Sequence, residues 1–222
     1  MRQLIQRLRG TREHAKTAVD ASITHGAVLL ASGISLRGGL QTDALAAQQG
    51  EPLLREIARR ALATQPAALI VSVPADDHTA LEVVLHGLPL RCLPVRRGMA
   101  QGAALRAALA VLPHACASVL LVPCDRAATD PGTLDRMLAA WREQPARAVA
   151  LRNAARMPGL PALLPRAWWH GLDAANGLAL RNLLQARTTE VEWLDASAAA
   201  ACDTEPARDG QGVNGSNGCV ST

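Results

Sequence analysis

The sequence predicts an α/β fold, a mostly parallel sheet with helices on both faces. Two apolar runs carry that prediction, Ala27-Val28-Leu29-Leu30 and Val119-Leu120-Leu121-Val122, each ending in small or turn-forming residues. Continuous apolar runs of this length suit strands buried on both faces. The third observation is that such runs alternate with helical patterns along the chain, as βαβ units do. A chain of 222 residues can bury one core of this kind, and 49% apolar content excludes wholesale disorder.

In chain order, residues 1–25 are expected to be an N-terminal extension. Leu4, Ile5 and Leu8 recur at helical spacing among Arg2, Arg7, Arg9, Arg12 and Lys16, which predicts an amphipathic helix over 2–18. Glu13 and Asp20 weigh against a mitochondrial-type presequence. The strand at Ala27–Leu30 then enters Ala31-Ser32-Gly33-Ile34-Ser35-Leu36-Arg37-Gly38-Gly39. A loop after a buried parallel strand lies at the carboxyl edge of the sheet, where open α/β folds bind ligands. Glycines there let backbone N–H groups approach a phosphate, and Arg37 adds a planar, permanent cation. A glycine-rich turn with a surface arginine is the plainer reading of the same residues.

Gly50-Glu51-Pro52 opens a helix to about Thr64, with Pro52 in the first turn and Glu51 complementing the helix dipole. Ala67–Val73 is a second buried strand, ended by Pro74, and Ala75-Asp76-Asp77 stands at its carboxyl end. Asp77 suits an N-cap for a helix over Thr79–Leu85. Leu88–Val95, punctuated by prolines, reads as a strand near an edge. Arg96 and Arg97 lead into a helix over Ala103–Leu112, either facing a polyanion or simply solvated.

The run ending Val122-Pro123-Cys124 delivers Asp125 to the carboxyl edge. Magnesium takes one or two carboxylates plus substrate phosphates and water, so an aspartate there is the minimal protein part of a metal–triphosphate site; an N-cap is its other use. Asp130-Pro131 opens a helix running to Trp141, Ala146–Leu151 is a strand, and Pro165–Gly171 is a short helix packed through Trp168 and Trp169. Thr189–Leu194 is the last strand, with Val191 and Trp193 on one face. The folded domain is expected over 26–207, and the Gly/Asn/Ser-rich residues 208–222 are expected to be a disordered tail.

Composition excludes several classes. Phe and Tyr are absent and there are four tryptophans, which counts against the aromatic platforms of single-stranded nucleic-acid binders. The net charge is +4, and all 23 basic residues but Lys16 are arginine. No run is long enough for a polybasic patch, while a mild positive balance suits small polyanions such as triphosphates. Cys92, Cys116, Cys124, Cys202 and Cys219 form no C-x-x-C pair and read as buried thiols of a reducing compartment. No apolar stretch reaches the ~18 residues of a membrane span. The expectation is a soluble, cytoplasmic protein without nucleic-acid or membrane partners.

Leu30-Ala31-Ser32-Gly33-Ile34-Ser35-Leu36-Arg37-Gly38-Gly39 resembles the L-A-[AGS]-G-x-S-x-R-x-G signature loop of the MobA-like NTP transferases, most closely the molybdenum cofactor cytidylyltransferase type. The resemblance extends over about residues 26–207. Gly50–Arg55 matches the family's G-x-P-L-L segment, Gly102, Leu105 and Arg106 correspond to the glycine, leucine and arginine of its segment ending S-L-R, and Arg181, Leu183 and Leu184 match its G-A-R-x-L-L segment. It implies a GT-A-like, Rossmann-related nucleotidyltransferase fold. It also implies that Leu30, Ala31, Ser32, Gly33, Ser35 and Gly39 wrap a nucleoside triphosphate, with Asp76 and Gly102 contacting the nucleotide. Arg37 and Asp125 take the catalytic roles, and Asp125 with Asp203 holds Mg²⁺.

The implied partners are CTP or GTP, a phosphorylated small-molecule acceptor such as molybdopterin, and a molybdoenzyme or its chaperone. Ala31-Ser32-Gly33 favours the cytidylyl type, and Pro123-Cys124-Asp125 leans the other way. Sugar-phosphate and terpenoid-precursor nucleotidyltransferases of the superfamily are a further reading. Thr42, or Asp43 if one residue is inserted, stands where the family has a lysine, Ala127 where it has the proline two residues after the aspartate, Leu160 where it has a histidine, and Ala201 where it has the first terminal acid. Those departures support an alternative, a degenerate non-catalytic member that binds nucleotide or a partner protein.

Overall fold

The computed structural model describes residues 24–31, 47–48, 51–96, 99, 101–124, 129–152, 156–172 and 179–195. Both the amphipathic helix expected over 2–18 and the tail expected over 208–222 lie outside them. The strands are β1 (Thr24–Leu30), β2 (Ala47–Gln48), β3 (Glu51–Pro52), β4 (Leu69–Pro74), β5 (Arg91–Val95), β6 (Cys116–Pro123), β7 (Ala148–Arg152), β8 (Pro158–Pro165) and β9 (Val191–Asp195). The helices are α1 (Leu53–Ala63), α2 (His78–Leu85), α3 (Gln101–Ala110), α4 (Pro131–Glu143) and α5 (Ala179–Ala186).

Seven strands form one sheet in the order β5-β4-β1-β6-β8-β7-β9. Strands β5, β4, β1 and β6 are mutually parallel, β8 runs antiparallel between β6 and β7, and β9 is parallel to β7. The expected mostly parallel α/β sheet is therefore present. β5 lies at one edge, as its prolines foretell. Pro158–Pro165, for which the sequence predicts no strand, forms the antiparallel strand β8.

Strand alternation divides the core into two layers. Ala27 and Leu29 of β1 point with Leu120, Val122, Val149 and Leu163 into a cluster covered by α1, α2 and α4. Val28, on the other face, joins Val119, Leu121, Ala150 and Leu164 under α3, α5 and the buried Trp168 and Trp169. Ala27, Val28 and Leu29 are all 0% exposed, so the apolar run is continuous because both of its faces are covered. Val191 and Trp193 pack in that second cluster, on one face of β9 as expected.

Helix ends follow their local chemistry, with two corrections. Asp130 caps α4, its Oδ2 accepting from the Thr133 amide at 3.1 Å, with Pro131 in the first turn. Glu51 and Pro52 do not begin α1; they pair with Ala47 and Gln48 as a small antiparallel ladder. Glu51 still reaches the helix from outside, facing Arg55 at 3.4 Å and Arg59 at 3.3 Å. Asp77 occupies the position before α2 but makes no side-chain capping bond there, and the helix begins one residue earlier than predicted, at His78. The far end of α2 is secured by Arg55, which donates to the Val84 and His86 carbonyls at 2.8 Å each. Of the described cysteines, Cys116 is buried while Cys92 and Cys124 are half-buried.

At the amino-terminal end of the sheet a histidine is buried in the first core layer. His25 Nε2 lies 3.1 Å from Thr64 Oγ1, and the Thr64 hydroxyl donates to the Ala61 carbonyl at 2.7 Å. The His25 ring meets Trp141 edge to face, with centroids 5.9 Å apart. Burial, with a smaller contribution from the Arg142 charge, lowers its pKa from the ordinary 6.5 to about 4.

Two outcomes are expected. The folded state holds His25 neutral, so the unfolded chain binds the extra proton between pH 6.5 and 4. Stability is thus complete above 6.5 and falls as pH drops toward 4, by roughly 3 kcal/mol in all. Urea midpoints measured across this window should show the slope, and His25→Gln should flatten it; an unchanged slope removes His25 as its source. Asp130→Ala loses the cap of α4 and should cost about 1 kcal/mol in the same assay.

Candidate nucleotide site at the carboxyl edge

Parallel pairing fixes what the carboxyl edge presents. Leu30, the last residue of β1, is in register with Ser72 on one side and with Pro123 on the other. Pro74 at the end of β4 is in register with Val95 at the end of β5. Residues 32–46 therefore follow a strand end flanked directly by the ends of β4 and β6, and Asp125 is two residues beyond Pro123. The strand order also reverses here, since β4 lies to one side of β1 and β6 to the other. Open α/β sheets bind ligands at such a point.

Among the residues expected to bind nucleotide, Leu30 is half-buried and Ala31 is buried. The Ala31 amide donates to the Ser72 carbonyl at 3.1 Å, which extends the β1–β4 ladder one residue past Leu30. Asp76 is exposed in a single 3₁₀ turn, Ala75–Asp77, that follows β4 immediately, so it stands one strand away from Ala31 at the same edge. The neighbouring Asp77 is turned inward and buried. Gly102 is buried in the first turn of α3, after β5. Arg96 is exposed directly after β5. Ser32, Gly33, Ser35, Arg37, Gly39, Asp125 and Asp203 lie outside the described residues, as does Arg97.

The described residues that border Asp125 in sequence are packed into the fold. Cys124 packs half-buried against the first core layer. Thr129 is fully buried, and its carbonyl accepts from Arg60 of α1 at 3.3 Å. Among the described residues no group of three or more His, Cys, Asp and Glu side chains converges on a metal position. No helix there is long and apolar enough to cross a membrane.

The other half of the same edge carries residues 152–164, which by their resemblance to the family's G-x-P-x-L-F region are expected to line the acceptor side. β8 is antiparallel, so its first residues, Pro158–Leu160, arrive where its neighbours end. Arg152 ends β7 opposite Pro158, and its guanidinium carbon lies 4.2 Å from the ring centroid of Trp193 on β9. The only local signal is an arginine closing an apolar strand; its aromatic partner is 41 residues away in sequence.

The model of the MobA-like NTP transferase domain matches residues 27–191. The chain belongs to this family. The match spans every strand of the large sheet except parts of β1 and β9, so the MobA-like assignment and the observed topology describe the same unit. Among solved structures, Rv0371c from Mycobacterium tuberculosis superposes with a TM-score of 0.66 at 21% identity, over 78% of this chain and 88% of that one. Its complex with manganese superposes at 0.62 and 20% identity, over the same shares. A nucleotidyl transferase from Methanothermobacter thermautotroptrophicus gives 0.63 at 19% identity, over 79% of this chain and 88% of its own. CMP:2-keto-3-deoxy-manno-octonic acid synthetase complexed with CTP gives 0.58 at 13% identity, over 78% and 90%. These likenesses establish a shared fold. No curated protein matches the sequence significantly.

Proposed function

We propose that this MobA-like chain is a divalent-metal-dependent nucleotidyltransferase that moves a nucleoside monophosphate from CTP or GTP to a phosphorylated acceptor, with molybdopterin as the acceptor. The observation that carries the reading is the register of β1 with β6. Leu30 stands beside Pro123, so the glycine- and arginine-bearing segment and Asp125 depart from adjacent strands at one edge.

In this reading Gly33, Ser35 and Gly39 cradle the triphosphate through their backbone, and Arg37 neutralises charge on its oxygens. Asp125, with Asp203, holds Mg²⁺. Two carboxylates are enough for that ion, because phosphate oxygens and water complete its shell, so a converging cluster of three protein ligands is not required. The bound metal supplies charge neutralisation on the phosphates. Asp76, exposed beside the β1 end, contacts the base or ribose. A phosphate oxygen of the acceptor attacks the α-phosphorus, a new P–O bond forms, the α–β bridging bond breaks, and pyrophosphate leaves. Such chemistry asks the protein for positioning and charge, with no covalent intermediate. The manganese complex of one structural neighbour and the CTP complex of another support a metal and a cytidine nucleotide.

Thr42 and Leu160, in place of the family's lysine and histidine, favour a second reading as a non-catalytic nucleotide binder. Pyrophosphate release with Mg²⁺, CTP or GTP, and molybdopterin separates the two. Turnover supports the enzyme; saturable Mg-nucleotide binding without turnover supports the binder. Asp125→Ala is expected to lower turnover at least ~10²-fold, the scale of losing one transition-state contact. Its thermal unfolding should match the parent. Full activity in that variant removes Asp125 from the metal site.

A further inference from the structure

We infer that Arg152, held against Trp193, binds the phosphate of the acceptor; this rests on the nucleotidyltransferase reading above. The strand ends follow one another along the edge in the order β5, β4, β1, β6, β8, β7, β9. If the triphosphate lies over β1 and β6, and Asp76 on the β4 side takes the nucleoside, then the free flank of the site is β8, β7 and β9. Arg152 is the cation that β7 brings to that flank, in register with Pro158 of β8 and Asp195 of β9. It stands two strand spacings, ~10 Å, from the end of β6. A long side chain there reaches a group bound beside the α-phosphate.

The side chain is held rather than free. Its guanidinium sits 4.2 Å from the Trp193 centroid. Trp193 is in turn fixed by its indole N–H, which donates to the Thr188 carbonyl at 3.2 Å, and by packing against the second core layer. A guanidinium over an aromatic face keeps its N–H fork for an anion, and that fork matches two phosphate oxygens. No carboxylate among the described residues occupies the fork. Asp195 is exposed and makes no ion pair with it, while Glu192 on the same strand faces Arg147 at 3.6 Å on the opposite side of the sheet.

The arrangement differs from the other two stacked arginines. Arg166, over Trp169, donates to the Pro113 and Cys116 carbonyls. Arg187, over Trp168, faces Glu190 at 3.5 Å. Those two have partners that account for them within the fold. Arg152 has the ring alone among the described residues, and it stands at the functional edge.

The test uses the full chain saturated with Mg²⁺ and a non-hydrolysable CTP analogue, titrated calorimetrically with inorganic phosphate and methyl phosphate. Arg152→Ala should weaken phosphate binding by roughly 10-fold or more, the scale of a charge-assisted bidentate contact. Arg152→Lys should restore only part of it, because an ammonium lacks the fork. Trp193→Leu should weaken it to a lesser degree, as expected of a positioning residue. Affinity for the CTP analogue should be the same in all four proteins. Equal phosphate affinity in the parent and Arg152→Ala, with matching thermal unfolding, overturns the assignment. Absence of analogue binding by the parent is read in its own arm and overturns the nucleotide reading, and the acceptor role with it.

Discussion

Everything at the carboxyl edge of the sheet depends on β1 being paired in parallel on both sides while both of its faces are covered. Parallel strands end in the same direction, so the segments that follow β1, β4, β5 and β6 are delivered to one edge without further design. Complete burial makes the register firm. A slip of one residue would exchange Ala27 and Leu29 for Val28 and Leu30 across the two core layers and mismatch both. Leu30 is therefore held level with Pro123 by the core, and the chain leaves toward Arg37 and Asp125 from neighbouring strand ends.

The same sheet separates chemistry from stability. The buried histidine, its threonine partner and Trp141 gather at the amino-terminal end, where His25 is level with Ser118 of β6. Exposed Asp76 and Arg96 and the stacked Arg152 gather at the carboxyl end. Each of these three groups is carried by a strand terminus or the turn after it. In the proposed reading, fixing such groups on strands limits the reorganisation that binding a polyphosphate requires.

Legibility in the sequence followed burial. β1 and β6 announce themselves because two covered faces demand unbroken apolar runs, and α4 because Asp130 and Pro131 form a local cap. β8 hides its nature behind Pro158, Pro161 and Pro165, residues that a central strand ordinarily excludes. The structure resolves the conflict. Pro158 and Pro165 are its first and last residues, and Pro161 falls where the ladder with β7 shifts register between Ala150 and Leu151. Each proline thus sits where an amide is least needed. Asp77 illustrates the reverse case: its sequence neighbourhood is that of a cap, and tertiary packing buries it instead. The signature loop was legible through family resemblance, whereas the pairing of Arg152 with Trp193 depends on β7 and β9 being neighbours, which no local pattern encodes.

The one strand that runs backwards changes what evolution can adjust. Because β8 enters the sheet at the edge where its neighbours leave, β7 and β8 are joined at the same edge as the ends of β1 and β6. Lengthening that connection would alter this edge while leaving the β1–β6 ladder and both helical layers untouched. In the proposed reading, a single nucleotide-handling half can in this way be joined to many second substrates, with the reversed strand acting as the interchangeable fitting.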